Sequence, residues 1–370
     1  MHALEAANLA VWLYALATTI LNLILERPLR PSDRTSGPFV SVVIPARNEE
    51  RSIGDTVAAM LAQTYRDLEV IVIDDQSTDR TSEILASFGD PRLTVLQGEE
   101  TPAGWLGKPW ALEQGSRRAR GELLLFVDAD IHYEPKAVAS MVDRLDESGA
   151  SMLAVLPHID MRTLGEQVSM MMLPFIAWAG IPLWLGNRWN AVGLGLGGGV
   201  GNFVRRAAYD SIGGHTALHN AVIDDIGLAR QFRAHGLRTI HVSTEDLISA
   251  RIYHGLREVV FGFEKNIFAI LGSVWWACVM ALLMVWLHLL PFVLAILGHP
   301  ISIAIVAICT LVRLLIAIRG RYSLLNAIFL HVPMVLVWLY ILLQSTWMTV
   351  RRREIHWRGR RSAEWSRFGR

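Results

Sequence analysis

The chain has 370 residues, of which 52% are hydrophobic and 19% are charged, and its formal net charge is +1. This apolar content is too high for an ordinary soluble enzyme and indicates membrane segments. The two cysteines, Cys278 and Cys309, both lie in apolar stretches, which excludes a disulfide framework and a cysteine-based metal site. No stripe of basic residues interleaved with aromatic ones occurs in the middle of the chain, so nucleic acid is not an expected partner.

An apolar segment near the N-terminus, residues 6–25, has the ~20 residues that a helix needs to cross a bilayer. Arg27, Arg30 and Arg34 follow it, whereas no Lys or Arg precedes it. The positive-inside rule therefore predicts a transmembrane anchor within residues 1–30 and a cytoplasmic domain after it. A cleaved signal peptide is the competing interpretation. It is disfavoured because the segment has neither a basic start nor a small-residue cleavage site.

Between residues 39 and 265, short runs of β-branched residues alternate with amphipathic stretches. Strands are predicted at residues 39–44, 69–73, 93–96, 123–127 and 152–156, with helices between them. This alternation predicts an α/β domain with a doubly wound, mainly parallel sheet. Residues 168–190 are apolar and aromatic but are broken by Pro174, Gly180 and Pro182. That composition predicts a segment that lies in the membrane interface and does not span the bilayer.

Charged side chains follow three of the predicted strands: Arg47 and Glu49 the first, Asp74 and Asp75 the second, Asp128 and Asp130 the fourth. In a doubly wound sheet, ligands bind beyond the carboxyl ends of the strands. Residues two apart on a strand point to the same side, so the carboxylates of Asp128 and Asp130 are predicted to converge. Such a pair suits Mg²⁺ or Mn²⁺ bridging a diphosphate. The competing interpretation is a solvated acidic turn.

Lys108 precedes a predicted helix and can reach diphosphate oxygens as a point charge. The competing interpretation is an ordinary surface lysine. A glycine-rich run, residues 193–201, predicts a loop that lets the backbone approach a ligand closely. Next to it, Asn202 and Arg205 are candidate contacts for a phosphate or a sugar on the acceptor side of the site. The competing interpretation of Arg205 is an exposed arginine without a role.

Residues 42–50, 72–79 and 128–130, in this order, closely resemble the motifs of the family 2 glycosyltransferases with a GT-A fold. The resemblance extends over about residues 39–236. It implies a nucleoside pocket lined by Pro45, Arg47 and Glu49, and a base contact from Asp75 in a loop that Asp74 supports. It also implies that Lys108 contacts the diphosphate, that Asp128 contacts the ribose or diphosphate, and that Asp130, with Asp128, holds the metal ion.

Asp224 and Asp225 begin a predicted helix, and Leu228 and Gly236 follow at the spacing of the family's catalytic motif. The resemblance implies that Asp225 is the general base, with Asp224 in the position of the family's glutamate. Two adjacent acids repel, which is expected to raise one of their pKa values. The competing interpretation is a pair of acids that complements the helix dipole. Further along, Arg251 and Tyr253 are candidate acceptor contacts.

Residues 269–350 form an apolar zone in which transmembrane helices are predicted at residues 271–290, 291–318 and 324–350, before a basic tail at residues 351–370. A start nearer Ile301 is the alternative for the second of these helices. Both Arg319 and the arginines at 351–353 favour the cytoplasmic side, which three simple crossings after a cytoplasmic domain do not allow. Either residues 324–350 turn back near Pro333 or one segment lies in the interface. The sequence leaves both possibilities open.

Residues 251–257 and 262–266, the tail at residues 355–360 and the lone N-terminal span resemble the ceramide-glucosyltransferase-like branch of the family, in particular the hopene-associated glycosyltransferases. The resemblance implies transfer of a sugar from a nucleotide-diphosphate sugar to a membrane lipid, a hopanoid or a similar molecule, at the bacterial inner membrane. We expect the reaction to depend on a metal ion. We also expect inversion at the anomeric carbon, because one base serves a single displacement. Alternatives are a polyprenyl-phosphate acceptor and a non-catalytic nucleotide-binding scaffold. A processive synthase is disfavoured because its Gln-x-x-Arg-Trp signature is missing. The oligomeric state stays open.

Overall fold

The computed structural model describes residues 2–221, 223–244, 246–352, 355–357 and 360–362. The chain forms two compact units. The helical unit comprises Met1–Leu25, Met161–Pro182 and Ile252–Arg370, and the sheet unit comprises Glu26–Asp160 and Leu183–Arg251. The strands are β1 Val40–Ala46, β2 Leu68–Asp74, β3 Leu93–Gln97, β4 Leu123–Phe126, β5 Ile131–Tyr133, β6 Met152–Leu156, β7 His158–Ile159, β8 Asn202–Arg205, β9 Thr239–Ser243, β10 Ile248–Ala250, β11 Ile355–Trp357 and β12 Arg360–Ser362.

The α-helices are α1 His2–Leu25, α2 Ile53–Leu61, α3 Thr81–Ala86, α4 Gly107–Arg118, α5 Ala137–Ser148, α6 Leu164–Met170, α7 Met172–Phe175, α8 Leu183–Arg188, α9 Arg206–Ser211, α10 Asp224–Ala234, α11 Leu256–Leu271, α12 Val274–Met284, α13 Leu290–Ile296, α14 Pro300–Arg319, α15 Leu324–Phe329 and α16 His331–Arg352. Two π-helical turns, Ile176–Gly180 and Val285–Leu289, interrupt the helical unit.

The sheet unit is built on a seven-stranded sheet with the order β3-β2-β1-β4-β8-β6-β9. Every neighbouring pair is parallel except the two that involve β8, which is antiparallel to both β4 and β6. The inner strands β2 and β4 are buried at every position, as expected for parallel strands covered on both faces. The predicted α/β class with a mainly parallel sheet is confirmed, and the sequence did not predict β8.

A smaller sheet with the order β5-β10-β7 lies in the same unit, at the strand ends of the seven-stranded sheet. Strand β10 pairs antiparallel with β5, and Ala250 stands opposite Ile131. Extending this register by one residue puts position 251 opposite position 130. Arg251 therefore follows β10 at the same edge as the second aspartate of the predicted metal pair.

In the helical unit, four helical segments of the described residues are long and apolar enough to cross a membrane: Ala3–Leu25, Val274–Ile296, Pro300–Arg319 and His331–Arg351. The predicted span at residues 271–290 continues to Ile296, because the π-helical turn joins α12 to α13 without ending the helix. The predicted span at residues 324–350 is instead divided at Leu330 into α15 and α16. The β-hairpin of β11 and β12 lies in the tail at 351–370, most of which is outside the described residues.

Polar side chains of α1 satisfy the backbone at both π-helical turns. Asn8 Nδ2 and Trp12 Nε1 donate to carbonyl oxygens of the turn Val285–Leu289, at 2.6 and 3.0 Å. Asn22 Nδ2 donates to the carbonyl oxygen of Trp178, in the other turn, at 2.9 Å. A carbonyl freed from the regular helical ladder in an apolar bundle needs such a partner. These polar residues therefore explain how an otherwise apolar N-terminal helix packs against irregular helices.

Contacts near both ends of α1 and α14 show that the two helices run parallel. Close to their first turns, the Ser302 hydroxyl donates to Glu5 Oε1 at 3.2 Å. Close to their last turns, Asn22 donates to the carbonyl of Trp178, and the guanidinium of Arg319 lies 5.4 Å from the Trp178 ring. Because a short turn at Gly298 joins α13 to α14, the segment 274–296 runs in the opposite direction to both.

Helix α16 starts partway along the α12–α13 segment. The His331 ring, in the first turn of α16, lies 5.3 Å from the His288 ring in the π-helical turn. Further along, Ser345 Oγ accepts from Phe268 N at 3.2 Å, close to where α11 passes into α12. Helix α16 is therefore antiparallel to the segment 274–296. It begins level with residue 288, well before that segment ends.

Helix α15 lies against the end of α14. Arg313 Nε donates to Ala327 O at 2.7 Å and Nη2 donates to Asn326 O at 3.2 Å. The guanidinium thus satisfies carbonyl oxygens at the end of the short α15, just before the chain turns into α16. Arg313 is 1% exposed, and a buried guanidinium needs such acceptors. This arginine explains why the chain can break at Leu330 inside an apolar region.

Candidate active site

The candidate site lies at the carboxyl edge of β1, β2 and β4, where the sequence predicts it. Asp128 and Asp130 belong to the turn that follows β4. The Thr56 hydroxyl, on α2, holds this turn by donating to Ala129 O at 2.9 Å. The backbone N–H of Asp128 donates to Gly199 O at 2.7 Å. The two aspartates are therefore fixed between α2 and the glycine-rich loop.

Lys108 joins two acidic elements that are far apart in sequence. Its ammonium lies 2.7 Å from Asp128 Oδ1 and 3.8 Å from Asp224 Oδ1. Burial alone would lower the pKa of Lys108, but the carboxylates of Asp128, Asp224 and Asp225 outweigh it and raise that pKa above its usual range. Lys108 is therefore a charged residue between the D-x-D turn and the start of α10, and not an ordinary surface lysine.

Asp224 and Asp225 occupy the first turn of α10, where carboxylates are favoured by the helix dipole. Asp224 is 6% exposed. Burial, followed by the neighbouring charges of Asp225 and Asp128, raises the pKa of Asp224 to about 6, although Lys108 opposes the shift. Asp225 is half-buried, and its Oδ1 accepts from Ile226 N at 2.6 Å. The expectation that one acid of the pair has a raised pKa agrees with this geometry.

We expect Asp224→Asn to stabilise the fold at neutral pH by about 1–3 kcal/mol. The folded-state pKa of Asp224, about 6, lies above its ordinary value of 3.8, so the wild type loses stability as the pH rises through this window. An asparagine does not titrate, so the advantage of the variant should grow between pH 4 and pH 7. Thermal unfolding of the detergent-purified protein at several pH values measures it. An advantage that does not change with pH would contradict the assignment, and Asp210→Asn, at an exposed aspartate, is the control.

The glycine-rich loop packs directly against both acidic elements. A Cβ atom at Gly199 would overlap the Asp128 carboxylate, and one at Gly197 would overlap the carbonyl oxygen of Asp225. A Cβ atom at Gly193, earlier in the same loop, would meet no atom within 4 Å. The lack of a side chain at positions 197 and 199 is therefore required by close approach to the protein's own acidic elements, whereas the predicted approach to a ligand stays a prediction.

Asn202 fixes this loop to the start of α10. Its Oδ1 accepts from Gly198 N at 3.2 Å and its Nδ2 donates to Asp225 O at 3.2 Å. The side chain is 3% exposed. Asn202 was predicted to contact an acceptor. In this structure both ends of its amide are used within the protein, which makes it a positioning residue for the loop and for Asp225.

Arg205 does not join the site, which corrects the prediction of an acceptor contact. It stands opposite Leu123, at the beginning of β4, whereas Asp128 follows the other end of that strand. Its Nε donates to Ala150 O and its Nη2 to Asp146 Oδ1, both at 3.1 Å. Strand β8 is antiparallel to β4, so its last residue points away from the edge that carries the aspartates.

The loops after β1 and β2 meet through Arg47 and Asp75. Arg47 Nη1 donates to Asp75 O at 2.6 Å and lies 3.6 Å from Asp75 Oδ2. Asp74 is 1% exposed, and its carboxylate accepts from Ser77 N at 3.0 Å and from the Ser82 hydroxyl. Asp74 therefore supports the loop, in agreement with its predicted role, and Asp75 is held beside Arg47.

Pro45 and Glu49 flank this loop pair. Pro45 is half-buried near the end of β1, where it pairs with Ile73 of β2. Glu49 Oε2 accepts from the Ser52 hydroxyl at 3.3 Å, and its backbone N–H donates to Thr81 Oγ1 at 2.8 Å. Strand β1 lies between β2 and β4, so these residues share one edge of the sheet with Asp128.

The two remaining acceptor candidates belong to different units. Arg251 ends the sheet unit and follows β10 beside the Asp130 turn. Tyr253 belongs to the helical unit, where its ring packs against that of Phe263 with centroids 5.4 Å apart.

The residues at the D-x-D turn fit a cation whose coordination is completed by a substrate. Among the described residues, no group of three or more His, Cys, Asp or Glu side chains could hold a metal ion. Asp128 and Asp130 offer oxygen ligands, and the ammonium of Lys108 at 2.7 Å shows that a cation is accommodated beside Asp128. When Mg²⁺ binds together with a nucleotide, the protein supplies few of its ligands, and phosphates and water supply the others. Asp130 and Asp128 would hold the ion.

A buried polar pair that was not predicted from the sequence supports the site. Tyr209 Oη lies 2.6 Å from His215 Nδ1 and 3.3 Å from Ser116 Oγ, on α4 behind Lys108. Burial and then the charge of Lys108 lower the pKa of His215 to about 3, so its imidazole stays neutral. The ring also packs on Phe126, two residues before Asp128, at 4.8 Å. No spacing rule links these positions, so the sequence carried no signal for the pair.

The chain is similar to several known glycosyltransferases. Residues 41–213 match the family model described as Glycosyl transferase family 2. The 4,4'-diaponeurosporenoate glycosyltransferase of Staphylococcus aureus (strain USA300) is 26% identical over 233 residues, which cover 62% of this chain and 60% of that protein. The protein of the same name from Staphylococcus haemolyticus (strain JCSC1435) is 25% identical over 254 residues, covering 67% and 66%.

Among solved structures, the mannosyltransferase PcManGT from Pyrobaculum calidifontis, in complex with GDP-Man and Mn²⁺, has a TM-score of 0.58 and 18% identity, covering 95% of this chain and 100% of that one. The fold is therefore GT-A-like. The chain contains a family 2 glycosyltransferase domain. It spans about 60% of the length of the S. aureus relative.

Proposed function

We propose that this protein transfers a sugar from a nucleotide-diphosphate sugar to a membrane lipid, with a divalent cation and with inversion at the anomeric carbon. The observation that carries the proposal is the contact of one lysine with both acidic elements: Lys108 lies 2.7 Å from Asp128 and 3.8 Å from Asp224. A site for the leaving diphosphate and a candidate base therefore share one edge of the sheet.

The nucleotide half of the site is proposed to consist of Pro45, Arg47, Glu49 and Asp75 with Lys108 and Asp128. Asp75 offers a carboxylate acceptor for the N–H edge of a base, and Arg47 holds it in place at 2.6 Å through its backbone oxygen. The fold is shared with a mannosyltransferase that was solved with GDP-Man and Mn²⁺, which supports a sugar nucleotide and a divalent cation as a pair. Mg²⁺ and Mn²⁺ are both suitable for carboxylate ligands.

In the proposed mechanism, Asp225 takes the proton from the acceptor group as it attacks the anomeric carbon. When bound, a divalent cation would neutralise the charge that develops on the leaving diphosphate. Lys108 would contribute a second positive charge to that diphosphate. Asn202 and the glycine-rich loop keep Asp225 in position relative to Asp128. One base acting in a single displacement gives inversion.

A lipid acceptor is supported by the membrane-type helices and by the relatives named above, which act on 4,4'-diaponeurosporenoate, a carotenoid acid. We propose a hopanoid or a similar membrane lipid as the acceptor, with a hydroxyl group as the nucleophile, because a hydroxyl has a proton that the base must take. The attacked group sets the linkage of the product. A glycoside resists alkali, a glycosyl ester does not, and a polyprenyl-phosphate product would carry a phosphodiester.

The test is to incubate membranes that contain the wild type or Asp225→Asn with a panel of labelled nucleotide-sugars and to extract the lipids. We expect at least one label to enter the lipid fraction with the wild type and not with the variant. Nucleotide binding without transfer of any label would support a scaffold instead. Analysis of the anomeric configuration of the product then tests inversion, and a retained configuration would contradict the mechanism.

We further propose that the chain crosses the bacterial plasma membrane three times and that α15 and α16 form a re-entrant hairpin. Helix α16 begins level with residue 288 and runs back along α12, which brings its arginine-rich end to the same side as Arg319. With the N-terminus outside, α1 and α14 cross inward and the segment 274–296 crosses outward. All the arginine-rich ends then face the cytoplasm, as the positive-inside rule requires. The sheet unit would be cytoplasmic.

Single cysteines in a background without Cys278 and Cys309 test this topology. In intact cells, a membrane-impermeant maleimide is expected to label Leu297→Cys. Arg27→Cys and Arg351→Cys should be labelled only after the membrane is permeabilised. Labelling of Arg351→Cys in intact cells would mean that α16 is a fourth crossing.

A further inference from the structure

The lysine that bridges the two acidic elements occupies the place where a metal ion is proposed to bind. Its ammonium is at hydrogen-bond distance, 2.7 Å, from Asp128, the first acid of the D-x-D turn. It also lies 3.8 Å from the buried carboxylate of Asp224. One cation thus serves two carboxylates that have separate roles in the proposed reaction.

The geometry allows the Lys108 ammonium to leave Asp128 for another anionic partner. Lys108 is the second residue of α4, and its side chain is 24% exposed, so solvent and ligands reach it. Lysine is a compact point charge on a flexible stem and can move its three donors without moving the backbone. The carboxylate of Asp128 is 36% exposed and is reachable from the same side. A diphosphate carries more negative charge than one carboxylate and would attract the ammonium more strongly.

We infer that Lys108 is an exchangeable counter-cation. In the free protein it neutralises Asp128, and on donor binding it transfers to the diphosphate and leaves Asp128 to the divalent cation. The inference rests on the proposed function and adds an order of events to it. A divalent cation alone must compete with Lys108 for Asp128 and binds weakly. A nucleoside diphosphate removes Lys108 from Asp128, so nucleotide and metal bind synergistically.

The competing interpretation is that Lys108 is a permanent partner that only positions Asp128. The two interpretations give opposite signs for metal binding to a variant without the ammonium. If Lys108 competes with the metal, removing its charge strengthens metal binding. If Lys108 only positions Asp128, removing it loosens the ligand and weakens metal binding.

The experiment measures free Mn²⁺ by electron paramagnetic resonance, with full-length protein in detergent, in the presence and absence of UDP or GDP. For Lys108→Met, we expect Mn²⁺ alone to bind at least about tenfold more tightly than to the wild type, which corresponds to about 1.4 kcal/mol. The increase in Mn²⁺ affinity that the nucleotide causes should shrink. Lys108→Arg keeps the positive charge and should behave like the wild type for Mn²⁺ alone.

Lys136→Met is the matched control, because Lys136 is a lysine of the same unit that pairs with Asp33 outside the site. It should leave both affinities unchanged. Unchanged or weaker Mn²⁺ binding by Lys108→Met, in a variant that unfolds at the wild-type temperature, would overturn the inference while leaving the proposed function intact. A wild type that binds neither nucleotide, with or without Mn²⁺, would overturn both.

Discussion

Asp225→Asn is expected to lower sugar transfer by about 10²–10⁴-fold and to leave nucleotide binding close to that of the wild type, because a positioned general base contributes that much. The amide cannot accept a proton, but it keeps the size of the carboxylate and the hydrogen bond from Ile226 N at 2.6 Å. The backbone oxygen that holds Asn202 is also unaffected. Label transferred to lipid, measured beside nucleotide affinity, separates the two effects.

Asp210→Asn is the control for this substitution, since Asp210 is an exposed aspartate in the same unit. It should transfer sugar at the wild-type rate. If Asp225→Asn also transfers sugar at the wild-type rate, Asp225 is not the base. If it loses nucleotide binding as well, the residue acts in holding the donor and not in the chemical step.

Gly199→Ala is expected to reduce transfer by about 100-fold, because the added methyl group would overlap the Asp128 carboxylate. Either the carboxylate moves or the loop moves, and the loop carries the Asn202 contact that positions Asp225. A displacement of about 1 Å in a catalytic group has an effect of this size. Initial rates of label transfer at saturating donor measure it.

Gly193→Ala is the matched control, in the same loop and with the same added methyl group. Nothing lies within 4 Å of the position that its Cβ would occupy, so transfer should stay close to the wild-type rate. Equal losses from the two substitutions would indicate that the loop needs flexibility along its whole length. The specific contact of Gly199 with Asp128 would then not be the reason for the glycine.

The sequence predicted the site edge because each functional loop follows a run of buried β-branched or leucine residues. Asp74, Asp75, Asp128 and Asp130 all come at such a strand end, and the parallel sheet brings strand ends together. The start of α10 was also predicted, because two acids precede a run with helical spacing. What spacing could not show was that Lys108 links these two elements across the site.

Strand β8 explains the main errors in the site. It has four residues and comes directly after the glycine-rich loop, so no alternating pattern marks it. Without its antiparallel direction, Asn202 and Arg205 looked like neighbours on the acceptor side. The strand instead puts Asn202 beside Asp225 and carries Arg205 to the opposite edge, where it pairs with Asp146.

A turn near Pro333 was one of the two possibilities left open for the last apolar segment, and the helix break occurs three residues earlier, at Leu330. Pro333 is the third residue of α16, where a helix does not yet need the missing N–H donor. The break depends on Arg313, whose guanidinium donates hydrogen bonds to the carbonyl oxygens at the end of α15. Hydrogen bonds between residues this far apart in the chain cannot be predicted from the local sequence.

The proposed function requires the D-x-D turn and the start of α10 to face one ligand-binding crevice. The most direct measurement is an experimental structure of the protein with Mn²⁺ and a nucleoside diphosphate, with the metal located by anomalous scattering. We expect the ion on Asp130, the diphosphate within reach of Lys108, and the Asp225 carboxylate on the same side. A metal ion away from Asp130, or a nucleotide bound where Asp225 cannot face it, would contradict the proposed arrangement.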